Sequence, residues 1–135
     1  MKDIKEVLGN NNLIRELKKN IVSMSMDDEN ITNLFIILED CYTVYQESIV
    51  EENNIWTEHP AMAQEDPNFQ KIMELRKVAA NAQLINSFIL NHLKIKLSPE
   101  KYNLFCKDLN IFKHEIAEIV HQENEEKLAK KRKKS

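Results

Sequence analysis

The most suggestive chemical pattern in the sequence is a set of three residues: His114, Glu118 and His121. Their spacing of four and three residues places them on one face of a helix. Glu118 and His121 also form a Glu-x-x-His motif, which di-iron helical bundles use to hold their metal ions. Such a centre needs two copies of the motif, and this chain has one. The apolar stripe of the same helix is predicted to consist of Tyr102, Phe105, Leu109, Phe112, Ile116 and Ile119. The set lies opposite this stripe, so we expect a solvated face and no metal site.

The two cysteines, Cys41 and Cys106, are too few for a disulfide scaffold and indicate a reducing compartment. Both fall on or beside apolar stripes, so we expect small buried side chains and not nucleophiles. The sequence contains no Gly-x-Ser-x-Gly, His-Glu-x-x-His, Walker or Rossmann pattern. We therefore predict no catalytic residues, no cofactor and no enzymatic activity.

One enzyme class remains as a lesser alternative, the all-helical nucleotide pyrophosphatases, which bind magnesium through helical carboxylates. Glu47, Glu51 and Glu52 are the candidate ligands. The following helix would have to present a matching Glu-x-x-Asp, and it does not contain one.

Charge is distributed unevenly along the chain, although its net value is only −3. Between Lys19 and Lys71 there is no lysine or arginine, while 11 acidic residues fall there. From Lys71 onward there are 14 basic and 8 acidic residues, with six of the basic ones between Lys127 and Lys134. The sequence therefore separates into an acidic block and a basic tail.

The acidic block predicts contact with a basic partner surface, which includes the groove of a nucleic-acid-binding protein. Trp56 ends a predicted helix, where it would serve as an aromatic anchor or close the core. The predicted partner-binding residues are Glu47, Glu51, Trp56, Glu58, Glu65 and Asp66. An ordinary solvated face is the other interpretation of this block.

The basic tail predicts, as the alternative function, association with nucleic acid, because lysine and arginine bind phosphates without sequence preference. The residues concerned are Lys127, Lys130, Lys131, Arg132, Lys133 and Lys134. No aromatic side chain lies among them to stack on bases, which weakens a single-strand-binding role. A solubilising disordered end is the other interpretation.

Helical periodicity predicts the elements that position these residues. Apolar residues recur every three or four positions in about 13–24, 28–56, 67–97 and 99–120, and residues 2–8 form a turn or two before a break at Gly9–Asn12. Asp27, Asp66 and Ser98 are the expected helix-starting residues, the last two followed by proline. The Ile36-Ile37 pair by itself would also fit a buried strand.

These elements predict an all-α fold: an elongated bundle of three long helices plus a short N-terminal helical segment, with a basic C-terminal extension. Residues 1–122 form the predicted helical domain, and 123–135 a charged helical extension or a disordered tail. The helix over 67–97 is apolar on several sides and is expected to be central. A first segment of about 18 Å cannot cover helices of about 45 Å, so apolar surface is left for a protein partner or a homo-oligomer. Long helices that bend or break and cover one another are the other interpretation.

The longest dense apolar stretch, Leu34–Leu38, is far shorter than the roughly 20 residues of a membrane helix. With the charged N-terminus, it predicts a cytoplasmic protein without a membrane partner. We expect a small non-enzymatic helical protein that acts by protein–protein interaction, as a regulator, inhibitor, adaptor or assembly factor. Its small size, its high content of the residues that AT-rich genomes favour (Asn, Ile and Lys) and its lack of catalytic motifs suggest a phage or other mobile element as the source.

Overall fold

A computed structural model describes residues 3–133, and all the regular structure in this range is helical. The five helices are α1 (Ile4–Leu8), α2 (Asn11–Ser23), α3 (Asp28–Glu58), α4 (Pro67–Lys96) and α5 (Pro99–Lys133). The prediction of an all-α protein with three long helices is therefore confirmed, and the Ile36-Ile37 pair lies inside α3. Across residues 3–133, no helix combines the length and the apolar character that a membrane span requires.

The long helices begin where the sequence predicts them to begin. The Asp27 carboxylate accepts a hydrogen bond from the Asn30 backbone N–H at 2.8 Å. The Asp66 carboxylate accepts one from the Asn68 N–H at 2.9 Å, and Pro67 follows as the first helical residue. Each side chain satisfies a backbone donor that has no partner within the first turn of its helix.

The break between α1 and α2 is shorter than the predicted Gly9–Asn12 segment. The Asn10 side-chain oxygen accepts hydrogen bonds from the N–H groups of Asn12 and Leu13, at 2.9 and 3.2 Å. Because this amide caps the new helix immediately, α2 begins at Asn11. Gly9 itself has an ordinary right-handed backbone, with φ of −87°.

Helix α3 lies between the other two long helices. α4 runs antiparallel to it, whereas α5 runs parallel, so that Phe35 meets Phe105 near one end and Asn54 meets Asn124 near the other. α4 packs against α1, α2 and α3 but touches α5 at few residues. α4 is thus contacted from several directions, as predicted, although α3 is the middle one of the three long helices, and α5 is an edge helix held mainly by α3.

The main apolar core lies at the end of the bundle that carries α1 and α2, here called the core end. Phe35 and Phe105 meet edge to face there, with ring centres 5.3 Å apart. The Asn81 side chain donates a hydrogen bond to the Leu8 carbonyl at 2.8 Å, which ties α1 to α4. The most deeply buried residues are Leu8, Ile21, Leu34, Leu38, Cys41, Ile85, Ile89, Leu93 and Leu109.

The opposite end, where α3 and α5 finish and α4 begins, is here called the polar end. Its buried cluster is small, consisting of Ile55, Ile72 and Leu75, with Trp56 and Met62 packed against it. Asn54 and Asn124 join α3 to α5 through a side-chain hydrogen bond of 2.7 Å. Polar contacts thus replace apolar packing between these two helices.

The face of α5 that packs against α3, here called its inner face, shifts around the helix axis along the length of the helix. Phe105 and Leu109 are buried as predicted, but Ile119, which the predicted stripe includes, is 47% exposed, and Val120 is buried. An α-helix has 3.6 residues per turn, so a pattern that averages 3.5 rotates by about 20° per seven residues. The prediction was therefore wrong by one residue at this point. The division into 1–122 and 123–135 stays a prediction, and α5 is continuous to Lys133.

Candidate partner-binding surfaces

The residues of the Glu-x-x-His pattern, His114, Glu118 and His121, are all exposed on α5. They occupy the solvated face that the helical register predicts. In the part of the chain that the structure describes, no three histidine, cysteine or acidic residues are grouped as metal ligands would be.

The two cysteines differ in burial. Cys41 is 1% exposed in the main core, whereas Cys106 is half-buried. Burial, with a smaller contribution from the Asp40 carboxylate, raises the pKa of the Cys41 thiol to about 12. Because the thiolate is the reactive form, Cys41 acts as a packing residue, as predicted.

Two of the three carboxylates considered as magnesium ligands, Glu51 and Glu52, are engaged by α4. Glu51 lies 3.0 Å from the Lys71 ammonium. Glu52 accepts two hydrogen bonds from Arg76, at 2.9 and 3.1 Å, and this pairing raises the pKa of the guanidinium. Glu47, the third member of the carboxylate set considered for magnesium, is exposed. A magnesium ion bound there would have to compete with both cations.

Glu58 and the basic tail, which the sequence treats as separate sites, contact each other at the polar end. The Lys131 ammonium donates a hydrogen bond to the Glu58 carboxylate. This bond, together with the lysine charge, lowers the pKa of Glu58. Both residues line an open hollow of about 370 Å³ with Leu128 and Arg132. Folding therefore offsets part of the charge separation that the sequence shows.

The remaining residues of the predicted nucleic-acid site lie along the last turns of α5. Lys127, Lys130 and Lys133 are exposed, and Lys134 lies outside the described residues. Lys127 also lines a hollow between α3 and α5 together with Glu47, Glu51 and Glu123. Carboxylates of the chain itself thus face part of this tail.

The other predicted partner-binding residues have local structural roles or none. Trp56 is half-buried and packs against the small apolar cluster, so it helps to close the core at the polar end. Asp66 caps α4, and Glu65 is exposed in the loop before it. The six predicted residues lie in α3 and in the loop that joins it to α4, and Glu47 and Glu51 line the same hollow.

A surface that the sequence reasoning missed runs along the outside of α5 and is here called the outer stripe. It consists of Leu104, Asp108, Ile111, Glu115 and Ile119, which recur every three or four residues and are all exposed. The three apolar side chains are 60%, 51% and 47% exposed. The sequence carries one signal for this surface: Leu104 and Ile111 are seven residues apart and form a second apolar repeat next to the predicted buried stripe.

A second surface lies where α3 is left uncovered between α4 and α5, and is here called the tyrosine groove. The rings of Tyr42 and Tyr45 form its floor, stacked with centres 6.2 Å apart. Gln46 donates a hydrogen bond to the Tyr42 hydroxyl at 3.0 Å and holds that ring in place. Ile49 extends the floor by one helical turn.

The walls of the tyrosine groove combine small residues with cations. Three adjoining open hollows of about 100, 310 and 260 Å³ make up its length. Ala79 and Ala80 line it from α4, and Ala117 lines it from α5. The Lys113 ammonium lies 5.3 Å from the centre of the Tyr42 ring, a cation–π distance.

The described part of the chain thus carries three distinct surfaces. The outer stripe is acidic and apolar, the tyrosine groove is aromatic with cations on its walls, and the polar end holds ion pairs between the acidic block and later helices. No protein-family model matches this chain, and no curated protein or solved structure shows a significant similarity to it.

Proposed function

We propose that this chain is a non-enzymatic helical protein that acts by binding another protein surface, and that the outer stripe of α5 is its main contact. The observation that supports this is the exposure of Leu104, Ile111 and Ile119 on one side of an edge helix. Burying such a side chain contributes about 1.5–3 kcal/mol. An uncovered row of three is therefore a strong driving force for association.

The chemistry of the outer stripe favours a basic, partly apolar partner. Asp108 and Glu115 alternate with the apolar residues, and no lysine or arginine interrupts the five positions. Asp108 and Glu115 thus give the stripe its acidic character. Farther along α5, Glu123 lines the hollow between α3 and α5 that also holds Glu47, Glu51 and Lys127, so two residues of the predicted partner-binding set lie beside α5.

The remaining members of the predicted site contribute less to this proposal. Lys131 already engages the Glu58 carboxylate, and Asp66 is engaged at the N-cap of α4. Trp56 packs inward against the small cluster. The contact is therefore centred on α5 and the neighbouring part of α3.

The proposal is tested by capture experiments with a matched pair of variants. Ile111→Lys places a cation in the outer stripe, whereas Ile95→Lys makes the same change at an exposed isoleucine of α4 that is 79% accessible. We expect Ile111→Lys to weaken capture of the bound protein by about tenfold or more, because truncating or charging a central contact typically costs over 1 kcal/mol. Ile95→Lys should bind as the unmodified chain does.

Equal capture by both variants would contradict the proposal. Capture that survives with Ile111→Lys but disappears on nuclease treatment would favour the alternative, nucleic-acid association through the exposed lysines of the tail. Thermal unfolding of both variants checks that neither exposed substitution has damaged the fold.

A further inference from the structure

We infer that the basic surface bound by the outer stripe is the tyrosine groove of a second copy of this chain, so that copies join head to tail. This inference rests on the proposed function and names its partner. Both surfaces are present on the same molecule, and their chemistry is complementary.

The groove offers the positive charge that the outer stripe lacks, and an aromatic floor against which the apolar side chains of the stripe can pack. Its charged lining consists of Arg76, Lys113 and Glu52, and Glu52 is already paired with Arg76. Lys113 is thus left to meet a carboxylate such as Asp108 or Glu115 of the entering helix.

The shape of the groove suits a helix better than a small molecule. Its hollows are open to solvent and adjoin one another through shared lining residues such as Tyr42 and Tyr45, whereas a small-molecule site buries most of its ligand in one cavity. The floor from Tyr42 to Glu52 spans about 15 Å of α3, or nearly three turns. Ile111 to Ile119 covers about 12 Å of α5, so this part of the stripe fits within that length.

The walls also allow a helix to come close. Ala79 and Ala80 on one side and Ala117 on the other present only methyl groups to the groove. An entering helix would complete a four-helix arrangement over α3, α4 and α5. In another copy, α5 is an edge helix with few contacts to α4, so its outer face is available to meet the groove.

A single copy cannot place its own stripe in its own groove. Residues two apart on a helix point in directions about 200° apart. Lys113 and Ala117 line the groove, so Ile111, Glu115 and Ile119 face away from it. Because the two surfaces differ, the contact is heterologous and each added copy leaves another stripe and another groove free.

The surface area of the chain is consistent with two such contacts. The chain exposes 9244 Å². A compact monomer of 15.9 kDa is expected to expose about 7,400 Å², so the excess is roughly 1,900 Å². A copy with a neighbour on each side would bury about 1,600 Å² at typical interface sizes, which is similar to that excess.

The test uses one variant for each surface and sedimentation velocity over a wide range of concentration. Ala80→Glu places an acidic side chain in the groove on α4, and Ile111→Lys disrupts the stripe on α5. We expect the unmodified chain to form species larger than a dimer as its concentration rises. Each variant alone should associate at least about tenfold more weakly. Their equimolar mixture should form a one-to-one dimer and nothing larger, because one intact stripe then meets one intact groove.

Matched controls are Ala129→Glu and Ile95→Lys, which make the same two changes at exposed positions outside both surfaces. They should associate as the unmodified chain does. The inference would be overturned if the chain stays monomeric at all concentrations. This holds even if the groove then binds an acidic helix of another protein. The inference would also be overturned if the unmodified chain forms only a dimer and the mixture of the two variants fails to dimerise. That result would indicate an isologous contact, in which both copies use the same surface.

The outcomes also separate this inference from the proposed function. If the chain is monomeric while Ile111→Lys still loses a captured foreign protein, only the second-copy inference fails. If Ile111→Lys changes neither self-association nor capture, the proposed function fails with it.

Discussion

At the core end of the bundle, α1 and α2 add apolar side chains to those of the three long helices, whereas at the polar end α3 meets only α4 and α5. The core end buries a large continuous cluster that includes Leu38, Ile85 and Leu109. The polar end has a buried cluster of only three apolar residues and relies also on side-chain pairs such as Asn54–Asn124 and Glu58–Lys131. The same helix, α3, runs through both environments.

α3 therefore has a different role at each end: it contributes to stability at the core end and positions α5 at the polar end. Burial at the core end provides most of the stability, because exposed ion pairs each contribute about 0–1 kcal/mol at most. The polar pairs at the other end instead fix the position of α5 against α3. We therefore expect the effects of mutations on stability to differ between the two ends in magnitude, in salt dependence and in pH dependence.

The largest effect is expected from a matched pair of leucine truncations. Leu38→Ala removes a fully buried side chain of the core end and should lower the free energy of unfolding by about 4 kcal/mol. Leu75→Ala, in the small cluster of the polar end, should lower it by about 2 kcal/mol, because a loosely surrounded site can collapse or admit water. Urea denaturation of both variants measures the two values. Equal losses would contradict the distinction between the ends.

An intermediate effect is expected from Asp40→Asn at the core end. Burial, and then repulsion from Asp3, raise the pKa of Asp40, so its ionised form is disfavoured in the folded state. The protonated form of Asp40 therefore contributes to the stability of the fold below the usual aspartate pKa. This contribution is lost as the pH rises through the pKa that Asp40 has in the folded state. Asp40→Asn should therefore raise the melting temperature by about two degrees at neutral pH and by nothing near pH 3.

The control for this variant is Glu47→Gln, which removes a charge from an exposed position of the same helix. It should leave the melting temperature unchanged at neutral pH. A stabilisation by Asp40→Asn that persists in strong acid would show that charge is not its cause.

The smallest effect is expected at the Glu58–Lys131 pair of the polar end. The hydrogen bond and charge of Lys131 lower the pKa of Glu58, so the pair stabilises the fold above the usual glutamate pKa. That contribution is lost as pH falls through the lowered value, which is opposite in sign to the behaviour of Asp40. Glu58→Gln should lower the melting temperature by about one degree in low salt and by less in high salt.

A double-mutant cycle with Lys131→Gln isolates the pair itself. The coupling should vanish both in high salt and in acid. A coupling that is insensitive to both would mean that the contact depends on packing and not on charge.

Local signals predicted the helices well. Asp27, Asp66 and Ser98 each accept a hydrogen bond from a backbone N–H at the start of a helix, because capping depends only on a few neighbouring residues. The inner face of α5 was harder to predict beyond Phe112, because a small error in helical phase accumulates along a long helix. Val120 consequently takes the buried place that the pattern gave to Ile119.

The candidate site was predicted less well, because contacts between helices are not local. Glu58 and Lys131 are 73 residues apart, and nothing in the spacing of either block shows that they meet. The parallel alignment of α3 with α5 is what brings the acidic block beside the basic tail. Likewise, the outer stripe is exposed because α5 is an edge helix, held mainly by α3, and the stripe lies on the face of α5 that points away from the bundle.

By itself, the sequence determined the helical class, the positions of the helix starts and the uneven distribution of charge, since all three depend on residue type and short-range spacing. Only the tertiary structure decided which charges are compensated and which apolar residues stay exposed. Both outcomes depend on how long helices are aligned and which faces they present to one another. In this protein that alignment pairs Glu58 with Lys131 and leaves Leu104, Ile111 and Ile119 on the outside.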